Sequence, residues 1–109
     1  EMAEELRILG GLYGMSQQTG SRYPAWGYEE NSPLREAMRE AVRRHMGKEL
    51  KEIAVHGGLE CGVAKEKWPD MDIITMGPVA EAVHSPDERL DLKSFELCYG
   101  TLCALLAGL

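Results

Sequence analysis

Ile53-Ala-Val-His-Gly-Gly-Leu-Glu-Cys-Gly62 is the stretch on which the fold turns. The apolar, partly β-branched run over 53–55 predicts a short buried strand, and His56-Gly57-Gly58 follows as a tight turn at its C-terminal end. From Leu59 a short helix runs to Lys67, before Pro69 ends it. Strand, glycine turn and helix in succession point to a layered α/β architecture, in which loops at strand ends face a ligand crevice.

Upstream, Asn31-Ser32-Pro33 is a strong helix start, with Ser32 as N-cap and Pro33 at the first helical position. Leu34, Ala37, Met38, Ala41, Val42 and Met46 then recur at helical spacing and carry that helix to Gly47. Residues 2–9 read as the end of a helix stopped by Gly10-Gly11, whereas 12–22 are open between a short strand and a loop. Tyr23-Pro-Ala-Trp-Gly-Tyr28 reads as an irregular crossover between two structural units.

Downstream, Asp72-Ile-Ile-Thr-Met76 is a second expected strand, ended by Gly77-Pro78, and residues 79–83 add an extended piece leading to His84. Asp91 then caps a last helix carrying Leu92, Phe95, Leu97, Cys98, Leu102, Leu105 and Leu106. The order helix–strand–helix–strand–helix predicts part of an α/β layer structure, a small sheet with parallel neighbouring strands flanked by helices.

Composition narrows the function. Apolar residues are 44% and charged ones 28% of the 109, ordinary for a globular protein and too apolar for a disordered one. A net charge of −6 argues against nucleic-acid binding, which needs clustered cations. Arg39, Arg43, Arg44 and Lys48 are interleaved with Glu36, Glu40 and Glu49, as on a solvated helix face. No signal peptide or membrane span is visible, because the C-terminal apolar stretch is short and broken by Gly100 and Thr101. Cys61, Cys98 and Cys103 have no CxxC spacing, so neither a disulfide framework nor a zinc ribbon is indicated. Unpaired thiols suit a reducing cytoplasm, with Cys98 and Cys103 as small core residues and Trp26, Trp68 and Tyr99 as core or interface aromatics.

His84, in His84-Ser-Pro-Asp-Glu-Arg89, is the foremost candidate for chemistry. A neutral imidazole on a loop between strand and helix suits a metal, and Asp87 and Glu88 are near enough to tune it or to cap the next helix. A surface histidine beside a Ser-Pro turn accounts for the same residues. The amides around Gly58 could face an anionic ligand at a helix N-terminus, or the glycines could serve tight helix–strand packing. Glu60 reads as a first-turn helix charge or as a contact to a substrate amine.

These two segments resemble the aminoacyl-histidine (Xaa-His, or cytosolic non-specific) dipeptidases, within the di-zinc metallopeptidase family that includes carboxypeptidase G and peptidase T. The likeness is carried by Tyr23-Pro-Ala-Trp26, Asn31-Ser-Pro-Leu34, His56-Gly-Gly-Leu-Glu-Cys-Gly62, Lys67-Trp-Pro-Asp70, Met76-Gly-Pro78 and His84-Ser-Pro-Asp-Glu-Arg89, in the family's order. It implies that His84 is a zinc ligand and that Gly58 and Glu60 belong to the substrate pocket. Two zinc ions would serve the whole active site, and the other ligands and the general-base glutamate would lie outside this chain. Residues 1–22 would end an inserted lid domain or form a linker, with 23–109 the C-terminal segment of the catalytic domain. The expectation is a C-terminal fragment of a cytoplasmic dipeptidase, inactive alone, without catalytic residues of its own, and self-associating as a homo-oligomer. A chain that does not open on Met agrees with it. The alternatives are a free-standing α/β binding or interaction module and, last, a self-contained metal site of His56, Cys61 and His84.

Overall fold

Two helices crossing at a small-residue contact organise the molecule. The computed structural model describes residues 2–55 and 57–109. Its elements in chain order are α1 (Met2–Leu12), α2 (Pro33–Met46), α3 (Glu60–Lys67), β1 (Ala80–Glu81), β2 (Arg89–Leu90) and α4 (Leu92–Leu106). Met38, Ala41 and Val42 of α2 are buried with Leu105 of α4, and Leu34, Ala37, Met46, Leu50, Ile74 and Ala104 pack around them. Thr101 is fully buried at the crossing and returns its hydroxyl to Leu97 O at 2.8 Å. A Cβ at Gly100 would collide with the His45 ring. The two residues that break the apolar run of the sequence are thus the ones that let the helices touch.

Local signals place α2 where its sequence predicts. Ser32 Oγ accepts from Arg35 N at 3.0 Å, Pro33 opens the helix, and Gly47 closes it at φ 63°. A second cap arrives from far away in the chain. The Asp72 carboxylate accepts from Ser32 Oγ at 2.7 Å and from Leu34 N at 2.8 Å. Ser32 chiefly, and Leu34 N–H after it, hold the Asp72 carboxyl below its ordinary value, against the raising effect of burial.

The flank of α2 is tied by charge. Glu52 accepts from Arg39 at 2.5 Å and from Tyr28 Oη at 3.0 Å, and lies 3.6 Å from Arg35 Nε. Arg35 in turn lies over the Tyr28 ring and donates to Glu29 O and Glu30 O. Arg39 first, then Tyr28, lower the Glu52 carboxyl. This network pins segments 28–30 and 49–53 to one helix.

Several sequence expectations are corrected. Helix α1 runs through Gly10 and Gly11 to Leu12; the left-handed residue that closes it is Gly14, at φ 69°. Met15 N and Tyr13 N both return to Gly10 O, so the pair sits inside the terminating turn. Neither 53–55 nor 72–76 pairs as a strand. Ile53 is 82% and Val55 59% exposed, far from the expected buried strand. No second strand lies beside either run among the described residues, and a strand exists only by its ladder. The one ladder described joins β1 to β2 and is antiparallel, not parallel. Cys103 is exposed, not a core residue, because only one side of α4 is covered; Trp68 and Tyr99 are exposed as well, which leaves the interface half of their reading.

The result is an open, elongated body. Its radius of gyration is 19.1 Å, where a compact chain of this length has about 13 Å. It exposes 9328 Å², against about 6,000 Å² for a compact protein of its mass. Leu6, Ile8, Leu9, Phe95, Leu102 and Leu106 are among the large apolar side chains left uncovered.

Candidate functional site

The His84 segment forms the tip of the β1–β2 hairpin. Ala80 pairs with Leu90 and Glu81 with Arg89, so residues 82–88 make the loop. Within it Ala82 (φ 52°) and His84 (φ 65°) both take the left-handed backbone conformation. Each such non-glycine residue costs about 1–3 kcal/mol, so the loop must be held by its own bonds. Ser85 N donates to Ala82 O at 3.1 Å, Glu88 N to Ser85 O at 3.2 Å, and Asp87 N to Ser85 Oγ at 3.2 Å. The Glu88 carboxylate folds back and accepts from His84 N at 3.0 Å. Across the strands Arg89 meets Glu81 at 3.0 Å, a fully solvated pair that adds little.

The base of the hairpin is fastened to the start of α4. Val79 N donates to Ser94 Oγ at 2.8 Å, while Asp91 N donates to Val79 O at 3.0 Å. Asp91 also caps α4 through Ser94 N at 2.7 Å, as its position in the sequence predicts. Glu88 and Asp87 take no part in that cap. The His84 imidazole is exposed, and neither of its ring nitrogens is hydrogen-bonded among the described residues. It is therefore open to a metal.

Gly58 and Glu60 lie apart from this loop. A Cβ on Gly58 would sit 2.9 Å from the Tyr23 ring, and one on Gly62 would strike Pro24 O. The glycines let the 23–28 strap lie against the start of α3, which is the packing reading of the pattern. Gly57 meets no such neighbour. Glu60 is exposed in the first turn of α3, where its charge suits the helix dipole. No hydrogen bond or ion pair joins Gly58 or Glu60 to the hairpin among the described residues. His56, the remaining candidate of this segment, lies outside the described residues. An open groove of about 620 Å³ between the start of α2 and the end of α3 is lined by Asn31, Lys65, Asp70 and Asp72, not by these candidates.

Among the described residues no three His, Cys, Asp or Glu side chains gather as a metal would require. His84 fits a metal as a single donor, and a catalytic zinc takes about three protein ligands. The sequence marks His84 through its motif, but not the left-handed Ala82 or the Glu88 contact to the main chain. The first has no signature in an alanine, and the second depends on how the loop closes.

Residues 13–108 match the model of peptidase family M20/M25/M40. The chain is 36% identical over 101 residues to the cytosol non-specific dipeptidase of Escherichia coli (strain K12), an alignment covering 93% of this chain and 21% of that protein. Its backbone is similar to the crystal structure of aminoacylhistidine dipeptidase from Vibrio alginolyticus, with a TM-score of 0.78, 29% identity, and coverage of 97% of this chain and 22% of that one. The chain thus spans about a fifth of the length of either relative.

Proposed function

This chain belongs to peptidase family M20/M25/M40, and on that footing we propose that it is the C-terminal part of a metal-dependent dipeptidase that hydrolyses Xaa-His and related dipeptides in the cytoplasm. In this reading residues 23–109 complete the catalytic domain, and residues 1–22 end a lid domain or form a linker. His84 supplies one ligand to a two-zinc centre; Gly58 and Glu60 lie at the substrate pocket. The remaining ligands and the general base come from outside the chain. When bound, zinc would supply Lewis-acid activation of the scissile amide. The chain's own contribution is to hold one imbidazole-bearing loop rigid, on a hairpin fastened to α4.

One observation carries the reading: a chain with the backbone of a dipeptidase segment carries an exposed imidazole on its hairpin loop, yet no three metal-ligating side chains gather among the described residues. A free-standing binding module has no use for so open a body. The uncovered apolar surface further supports self-association of the isolated chain as a homo-oligomer. Purified chain, assayed on Xaa-His dipeptides with added zinc or manganese, should show no turnover. Metal-dependent hydrolysis by the 109 residues alone would overturn the reading.

A further inference from the structure

We propose that Glu88 is a positioning residue for His84, acting through the main chain and not through the imidazole. The inference rests on the reading of His84 as a ligand. Among the described residues the Glu88 carboxylate is the one side chain that holds the His84 backbone, accepting from His84 N at 3.0 Å across four residues. That amide belongs to a residue at φ 65°, a conformation an unconstrained histidine leaves readily. Of the other loop bonds, Ser85 N to Ala82 O closes a turn with His84 at its third position, where a positive φ is accommodated, and Glu88 N to Ser85 O lies beyond that residue. Glu88 closes the ring over that residue. Arg89, the neighbouring cation, is engaged across the strands by Glu81, which leaves the Glu88 carboxylate to the amide. A histidine ring attached to a left-handed Cα projects in a different direction from one on a relaxed backbone. Fixing φ therefore fixes the direction of the His84 Cα–Cβ bond and narrows the positions the imidazole can reach before any metal arrives, a main-chain counterpart of the outer partners that orient ligating histidines through the ring.

The test uses two measurements. In the 109-residue chain, nuclear magnetic resonance reads amide exchange and the backbone carbon shifts of residue 84 for wild type, Glu88→Gln and Glu88→Ala. Glutamine keeps an acceptor oxygen, so it should retain the protected amide and left-handed shifts; alanine should lose both. In a chimaera joining residues 23–109 to the N-terminal part of the Escherichia coli relative, cobalt(II) is titrated and its absorption spectrum followed. Glu88→Ala should weaken uptake at one of two sites by about tenfold or more, with Glu88→Gln close to wild type. Loss of that site in His84→Ala but unchanged uptake in Glu88→Ala overturns the role of Glu88. Unchanged uptake in His84→Ala overturns the ligand reading itself. An unprotected residue 84 amide in the wild-type chain also overturns the proposal, whatever the chimaera does.

Discussion

Replacing Asp72 tests the long-range cap that joins the 72–76 segment to α2. The carboxylate accepts from Ser32 Oγ and Leu34 N, at 2.7 and 2.8 Å. A hydrogen bond to a charged group contributes about 1.5–3 kcal/mol net, and partial exposure places the Asp72→Ala loss near ~2 kcal/mol. Asn keeps one acceptor oxygen, so Asp72→Asn should lose about half as much. For a chain of this size ~2 kcal/mol lowers the unfolding midpoint by roughly 6–12 °C, measured by far-ultraviolet circular dichroism at neutral pH. The pH dependence has a fixed sign. The folded carboxyl titrates below its unfolded value, so its contribution is full above about pH 4 and is lost as pH falls through the lower folded value. The gap between wild type and Asp72→Ala should accordingly shrink in acid. A midpoint within about 1 °C of wild type at neutral pH, far short of the shift expected for this size, would refute the cap. So would a gap that persists undiminished in strong acid.

Gly62→Ala should destabilise the chain by up to ~2 kcal/mol in equilibrium unfolding, because overpacking against Pro24 O outweighs the gain in helix propensity. A net stabilisation would mean that the strap does not lie on α3. Light scattering across a concentration series should find dimers or larger species, since 9328 Å² is far more surface than a compact chain of this mass exposes. A monomer at every concentration would instead mean that the apolar helix faces are tolerated in water.

The elements that were legible are those whose cause is local. Ser32-Pro33 and Gly47 bracket α2, and Asp91 begins α4, because a cap and a left-handed glycine act within one turn. Of 79–83, expected as one extended piece, only Ala80 and Glu81 pair as a strand; the chain turns at Ala82 and Val83, and the hairpin itself was not legible. The runs at 53–55 and 72–76 look like strands because apolar β-branched residues suit a sheet, yet pairing is supplied by a neighbour, and residue type cannot name it. Asp72 reads as a strand residue and works as a cap for a helix 38 residues earlier, through a contact that no spacing encodes. Gly10-Gly11 reads as a stop, but a helix tolerates glycine at about 1 kcal/mol each, and Gly14 offered the better exit. Of the site, the His84 motif was visible and so was its turn. The packing of Gly58 on Tyr23 was one of two open readings, and it depends on a ring 35 positions earlier whose placement no local spacing encodes.

The seam between hairpin and α4 has a mechanical consequence. Val79 is bonded to both Asp91 and Ser94, which fastens the base of the hairpin to the first turn of the helix. Asp91 and the buried Thr101 are ten positions apart, a lever arm of roughly 15 Å along the helix axis. A tilt of about 5° at the Thr101 fulcrum swings the His84 end by more than ~1 Å, the scale at which misplaced reacting groups lose rate. The aim of the loop is thus set at the far end of a rod, by a threonine and a glycine that touch nothing near it.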